Sequence, residues 1–401
     1  MNRPPRALRP ARRHAFRALA IAFGIGIFVL LGEFGIRLRL AWLFRGQLEE
    51  VSREIPADPN ATVTLGDLVY PVENDNLIYR LKPGAAGVFR GAPVRVNSLG
   101  FRDEEIGPLD ASMEAPLNAK PPGTIRIIAL GDSLGFGWGV EAEEGFFELI
   151  EKDLDRLAGK ARRVQVINTS VPGYNAVMEA EILHETGLAL EPDAVLIEYC
   201  TNDEVLPDFL MRKPFFRRLD RLYLLRLGGL LTGSLARDQR ETARLSPPGI
   251  LYHPRPDGPG AMDPRDVPPR YRHHVGPQPL EAAYRRIRNA CRERGIPLIV
   301  VAPSAQFHEG DPTIEADPMM AGIRSLCVRL EAPLIETFGA IRRHIETHGL
   351  HSIDLSVEDP QDWHPNALHH ELIAREMLGM VSRELGLESN AERGQVSNER
   401  H

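Results

Sequence analysis

Between residues 121 and 157 the hydrophobic period of the chain changes once, and it changes at a serine. Thr124–Leu130 reads Thr-Ile-Arg-Ile-Ile-Ala-Leu, a β-branched and apolar run bounded upstream by Pro121-Pro122-Gly123. Its length and composition predict a buried strand. The run ends in Gly131-Asp132-Ser133-Leu134-Gly135, and residues 143–157 then carry a helical pattern. A serine on such a turn stands at the carboxyl edge of a sheet. There, free main-chain N–H groups and the positive end of a helix dipole favour an oxyanion. Alone, a Gly-Asp-Ser turn is ordinary loop punctuation; what sets this one apart lies downstream.

Further strand-like runs fall at 164–171, 194–199, 297–302 and 333–336, and helix-like segments at 176–186, 280–294, 320–330 and 367–387. Strands alternating with helices of this length predict an α/β fold, a three-layer α/β/α sandwich around a parallel sheet of about five strands. The site of such a fold lies beyond the carboxyl ends of the strands. Pro365 and Asn366 suit the start of the last helix, which puts His364 just before its first turn.

Three more blocks follow the serine in chain order. They are Gly173 in Asn168-Thr-Ser-Val-Pro-Gly-Tyr, Asn202-Asp203 after Glu198-Tyr-Cys-Thr, and Asp362-Trp-His364-Pro-Asn366. With Ser133 they resemble the four blocks of the SGNH (GDSL-type) hydrolase superfamily, of the membrane-anchored bacterial kind, over roughly residues 124–387. The resemblance implies the flavodoxin-like version of the sandwich. It also implies that Ser133 is the nucleophile and His364 the general base, and that the oxyanion hole is the Ser133 and Gly173 N–H groups with the Asn202 amide.

Two positions depart from the family pattern. Cys200 stands where the third block usually has glycine, and Gln361 where the helper aspartate usually lies. Asp362, two residues before the histidine, is the expected orienting carboxylate. Asp359, or no acid at all, remains the alternative. Gly131-x-Ser133-x-Gly135 also matches the nucleophile elbow of α/β-hydrolases. That fold, however, places several strands before its serine, and here the serine follows the first clear strand of the core.

The amino terminus is a separate matter. Arg3, Arg6, Arg9, Arg12, Arg13 and Arg17 precede fifteen uncharged residues, 18–32. Fifteen helical residues span about 22 Å, short of a roughly 30 Å hydrocarbon core. Phe34, Gly35 and Ile36 lengthen the run past Glu33, and Arg17 can snorkel at the other end. No small-x-small cleavage site follows, so an uncleaved signal-anchor is expected over a cleaved signal peptide. Six arginines before the span, against Arg37, Arg39 and Arg45 after it, leave the amino terminus in the cytoplasm. The catalytic body is then expected in the periplasm of a bacterium, held to the inner membrane by a single pass.

The expected division is therefore a basic cytoplasmic tail (1–17), a transmembrane anchor (18–40), a loop-rich pre-core segment with a few small strands that is no independent domain (41–123), the hydrolase domain (124–388) and a disordered tail (389–401). Within the domain, 204–278 is an insertion whose first half interleaves Phe209, Phe215 and Leu219 with Arg212, Arg217 and Arg221. That pattern predicts a basic amphipathic helix: a lid, a piece lying on anionic lipid, or a helix packed on the core. In the pre-core segment Arg102, within Asn97-Ser-Leu-Gly-Phe-Arg, is a candidate substrate contact; a salt bridge, or a packing role for Phe101, is the alternative.

The net charge of −7 leaves −13 on the chain after residue 17. Such an acidic body excludes nucleic acid as a partner. Cys200, Cys291 and Cys327 have no metal-type spacing and allow one disulfide at most, so all three are read as structural. The pairs His273-His274 and His369-His370 point different ways on a helix and make poor co-ligands. No metal and no cofactor is expected.

The chemistry implied is ester hydrolysis through an acyl-enzyme, on O-acetyl or other short acyl groups of cell-envelope carbohydrate or lipid. An O-acetyltransferase built on the same serine and histidine, or an anchored glycan-binding protein without catalysis, stands as the alternative. Oligomeric state is not legible.

Overall fold

The computed structural model describes residues 10–43, 55–72, 74–106, 120–207, 209–211, 250–252, 269–303, 318–357 and 364–387. Two compact units emerge, one of residues 1–53 with 211–251 and one of residues 54–210 with 252–401.

The first unit holds helix α1, Pro10–Leu43. Within it His14–Arg39, 26 residues whose most apolar stretch has a mean hydropathy of 2.2, is long and apolar enough to cross a membrane. At 1.5 Å per residue such a stretch reaches about 39 Å, more than a bilayer core of roughly 30 Å. The helix runs through Glu33 without a break. Its carboxylate takes up Arg37 one turn later, at 2.7 Å, an i,i+4 pair that helical spacing brings together.

The second unit begins with two small hairpins. Strand β1 (Val69–Pro71) pairs antiparallel with β2 (Tyr79–Leu81), and β3 (Ala86–Phe89) with β4 (Ala92–Arg95). The second hairpin turns on Arg90 and Gly91, both at positive φ, the backbone that a two-residue turn between twisted strands requires. Leu68, Leu77, Tyr79 and Leu81 are wholly buried. The pre-core segment, loop-rich by composition, thus packs as part of the body.

The sandwich follows in the expected alternation. Strand β5 (Thr124–Leu130) leads to helix α2 (Phe146–Ala158), β6 (Arg163–Asn168), α3 (Ala176–Glu185) and β7 (Ala194–Glu198). Within the insertion β8 (Phe209–Met211) and β9 (Ile250–Tyr252) form a two-stranded sheet. The basic amphipathic helix expected there, like the carboxyl-terminal tail, lies outside the described residues. Helix α4 (Pro277–Arg294), β10 (Leu298–Ala302), α5 (Pro318–Leu330), β11 (Leu334–Glu336), α6 (Phe338–His348) and α7 (Ala367–Glu384) complete the domain.

The main sheet is parallel, with strand order β11-β10-β7-β5-β6. Side chains alternate across it. Ile127, Ala129, Val166, Leu196, Ile299 and Val301 join one apolar cluster with Phe146, Phe147 and Ile150 of α2, Ile341 of α6, and Ile373 and Met377 of α7. Helices α3 and α4 pack together as a separate pair. The strand order has one reversal, at β5, whose neighbours are β6 and β7. A crevice opens at such a switch point, beyond the carboxyl ends of the strands. Ser133 follows β5 there, and Asn202 follows β7.

Candidate active site

The serine turn is built to leave no slack. Ser133–Phe136 is a single helical turn whose cap, Asp132, accepts from the Leu134 N–H at 2.9 Å. Gly131 and Gly135 are dictated by close approach. A Cβ at Gly131 would stand 2.6 Å from Glu198 Oε2, and one at Gly135 2.5 Å from Ser170 Oγ. Glu198 Oε2 itself accepts from the Asp132 N–H at 2.9 Å and the Gly135 N–H at 3.3 Å. From β6, the Asn168 amide donates to the Gly135 carbonyl at 2.8 Å. The turn is therefore pinned from both neighbouring strands.

Ser133 Oγ lies 2.8 Å from His364 Nε2 and 3.4 Å from Asp132 Oδ2. The histidine arrives from 231 residues downstream, so only the fold brings the pair together. Its main chain is held on both sides: the Val357 N–H donates to the His364 carbonyl at 2.9 Å, and the Asn366 N–H to the Leu355 carbonyl at 3.0 Å. Asn366 then caps α7, accepting from the His369 N–H at 3.1 Å. A hydroxyl bonded to an imidazole in this way is poised to lose its proton to the ring. Asp362, Asp359 and Gln361 lie outside the described residues.

Asn202 sits buried in a 3₁₀ turn, Thr201–Glu204, where Asp203 accepts from the Cys200 N–H at 3.3 Å. Its Nδ2 donates to Asp132 Oδ2 in a short hydrogen bond, which leaves a second amide hydrogen. Gly173 has φ +77 in a turn closed by the Tyr174 N–H to the Val171 carbonyl, a backbone that favours glycine. The pre-core segment braces that turn: Tyr79 Oη donates to the Pro172 carbonyl at 2.9 Å and Tyr174 Oη to the Tyr79 carbonyl at 2.7 Å. Among the described residues, neither the Ser133 nor the Gly173 main-chain N–H donates a hydrogen bond.

Arg102 takes a different place from the substrate contact expected of it. It is buried, and its guanidinium donates to the carbonyls of Phe136, Gly137, Val140 and Pro93 at 2.6–2.9 Å. Burial lowers its pKa to about 10, partly offset by Glu143, Glu148 and Glu141. The signal was ambiguous because an arginine after a tight turn suits a ligand or a carbonyl cluster equally. Four carbonyls lose a donor in Arg102→Met, at about 1 kcal/mol or more each. The variant is expected to unfold at least about 3 kcal/mol more easily in urea, and an unchanged midpoint would contradict the clamp.

The residues that motif reading overlooked are acids. Beneath the serine turn Glu179, Glu198 and Asp203 are fully buried. Burial first, and then neighbouring acids (Asp203 and Glu198 beside Glu179, Asp132 and Asp203 beside Glu198, Asp132 beside Asp203), holds all three carboxyls well above the ordinary carboxylate range. Such a group contributes stability that is complete below the unfolded pKa near about 4.3 and is lost as pH rises towards the folded one. Neither Glu179 oxygen has a hydrogen-bond partner among the described residues. Glu179→Gln, neutral at every pH, is expected to raise the urea midpoint at pH 8 and leave it unchanged near pH 4. Parallel pH profiles for the two proteins would contradict this account.

Cys200, Asp132 and Glu198 bring a sulfur and two carboxylates within 4.8 Å of one another. As a metal set it is poor. Asp132 spends its oxygens on the Leu134 N–H and Asn202, Glu198 Oε2 is taken by two N–H groups, and burial keeps the thiol protonated. The same burial argues against a thiol nucleophile, and it pushes Cys291 and Cys327 up to about 12. The histidine pairs serve packing. His274 lies between the Asn175 amide and the Asp75 carbonyl, and His370 accepts from the Phe146 N–H at 3.3 Å.

A serine and a histidine joined at the switch point of a parallel sheet define a serine hydrolase, not the elbow enzyme, whose serine would follow several strands of the main sheet, where here it follows the first. The family model of the GDSL-like lipase/acylhydrolase family matches residues 129–372. The chain belongs to that family and is a serine hydrolase acting on ester bonds. None of the curated proteins compared matches it. Among solved structures, the acetylxylan esterase Axe2 from Geobacillus stearothermophilus is 16% identical, with 66% of this chain and 95% of that one covered at a TM-score of 0.39. LAE5, an alpha/beta hydrolase enzyme from the metagenome of Lake Arreo, Spain, is 15% identical, with coverages of 66% and 97% and a TM-score of 0.38. TesA is 13% identical, with coverages of 65% and 99% and a TM-score of 0.37. Likeness at that level adds nothing to what the strand order already shows.

Proposed function

We propose that the chain is an esterase that removes O-acetyl or other short acyl groups through an acyl-enzyme on Ser133. The observation that carries this is the 2.8 Å contact between Ser133 Oγ and His364 Nε2. His364 takes the serine proton, the alkoxide attacks the ester carbonyl, and the alcohol leaves with a proton returned by the imidazolium. Water then attacks the acyl-enzyme with His364 again as base, and the carboxylic acid departs. The developing oxyanion is met by the Ser133 and Gly173 N–H groups and the second amide hydrogen of Asn202; that neither N–H donates to an acceptor among the described residues supports this assignment. Asp362 is assigned to hold the His364 tautomer.

The substrate proposed is acylated carbohydrate, or lipid, of the bacterial cell envelope. This reading is supported by the membrane-length amino-terminal helix and by the six arginines among the first seventeen residues, a charge bias that favours a periplasmic body under the positive-inside rule. The domain limits proposed are 1–17, 18–40, 41–123, 124–388 and 389–401, with 204–278 as the insertion. The test is a series of p-nitrophenyl esters of increasing acyl length, beside acetylated glycans, given to the detergent-solubilised chain. Acetyl and other short esters are expected to turn over fastest, with acetate released to water. Preference for long chains would overturn the short-acyl reading. Acetyl passing to an added glycan in place of water would make the protein a transferase.

A further inference from the structure

The ring of His364 lies flat on that of Trp138, with centroids 4.5 Å apart and planes 13° from parallel. Trp138 belongs to the serine's own segment: its N–H donates to the Ser133 carbonyl at 3.1 Å. The main chain around it is clamped, since three of the four carbonyls that bind Arg102 belong to Phe136, Gly137 and Val140. The glycines on either side, Gly137 and Gly139, both have φ +76 and let the chain double back so that the indole stands beside the turn. The indole is also held from the pre-core hairpin. The Phe89 ring packs T-shaped on it, with centroids 4.8 Å apart and planes at 80°, and the Arg90 guanidinium lies over the indole 4.8 Å from its centroid. The plate under the histidine is thus fixed to the serine by covalent structure and to the second hairpin by packing.

We infer that Trp138 is a positioning residue for His364. This rests on the serine-esterase reading of the same site. The indole holds the imidazole in the plane that points Nε2 at Ser133, and it favours the ring when it becomes a cation. Taking the serine proton puts a positive charge on His364, and a cation over an indole face is attracted by the negative face of the π-system. The ground-state imidazole is neutral and gains less. The contact is therefore stronger in the transition state than before it, and such a contact raises kcat rather than lowering KM.

The test is a double-mutant cycle on p-nitrophenyl acetate with the solubilised full chain. It compares Trp138→Leu, Trp138→Phe, His364→Ala and the Trp138→Leu/His364→Ala pair. Trp138→Leu is expected to lower kcat about 30-fold, which is about 2 kcal/mol at roughly 1.36 kcal/mol per decade, with KM changed less than about threefold. Trp138→Phe, which keeps a flat π-face, is expected to stay within about fivefold of the original kcat. In the His364→Ala background, Trp138→Leu is expected to change the residual rate less than about twofold, because the partner it acts through is gone. An equal loss in both backgrounds, a Phe variant as slow as the Leu variant, or a Leu variant at full kcat would each overturn the inference. If Trp138→Leu fails to fold, the comparison of Trp138→Phe with the original chain in both backgrounds decides. A loss that persists without His364 would then be fatal. Undiminished hydrolysis by Ser133→Ala would instead overturn the serine-esterase reading itself.

Discussion

Ser133→Ala is expected to lower kcat for p-nitrophenyl acetate by about five decades, with KM nearly unchanged. The size follows from the arrangement. The hydroxyl is the one group placed both on the turn beyond β5 and 2.8 Å from the imidazole. Cys200 offers no substitute, because burial and the nearby carboxylates Asp132 and Glu198 hold its thiol protonated. What should remain after the substitution is the proposed oxyanion hole acting on bound ester with water as nucleophile, worth about 10³–10⁴ over the uncatalysed reaction. Little stability should be lost, since the hydroxyl's partners are His364 and Asp132 and the substitution removes a single oxygen.

The second large effect is expected at Asn202. Removing one oxyanion donor costs about 10²–10³ in kcat, and Asn202→Ala should fall in that range. The side chain has a further task, since its Nδ2 holds Asp132, and Asp132 caps the serine turn. Asn202→Asp should therefore be no milder than alanine: it would press a carboxylate against Asp132 in a buried place already crowded with acids. Steady-state kinetics on the same ester separates these effects from binding, because KM should move much less than kcat. A rate within tenfold of the original for Asn202→Ala would remove Asn202 from the oxyanion hole.

Much of the fold was legible because the strands are buried on both faces. Runs such as Ala194–Glu198 and Leu298–Ala302 are continuous and apolar, so length and composition marked them. Helix α6 was missed. Only Phe338 and Ile341 of its eleven residues are buried, too narrow a stripe for periodicity to register beside Arg342, Arg343 and His344. The pre-core hairpins were underread for another reason. Their strands are three or four residues long, and Tyr79 and Phe89 gain their meaning only from what they touch. At the site, Ser133 and His364 were named from motif blocks, and the fold brings them to hydrogen-bond distance. Arg102 shows the limit of that approach, because residue type and loop context cannot say whether a guanidinium faces solvent or four carbonyls. The buried acids were beyond it as well. Glu198 closes an apolar strand, but only the register of β7 against β5 turns its carboxyl under the serine turn.

The most direct measurement is the site and rate of fluorophosphonate labelling, read by peptide mass mapping of the full chain. One phosphonate per molecule is expected, on the peptide carrying Ser133, formed slowly in His364→Ala and absent from Ser133→Ala. Label on another residue, or uptake unchanged when Ser133 is replaced, would contradict the account.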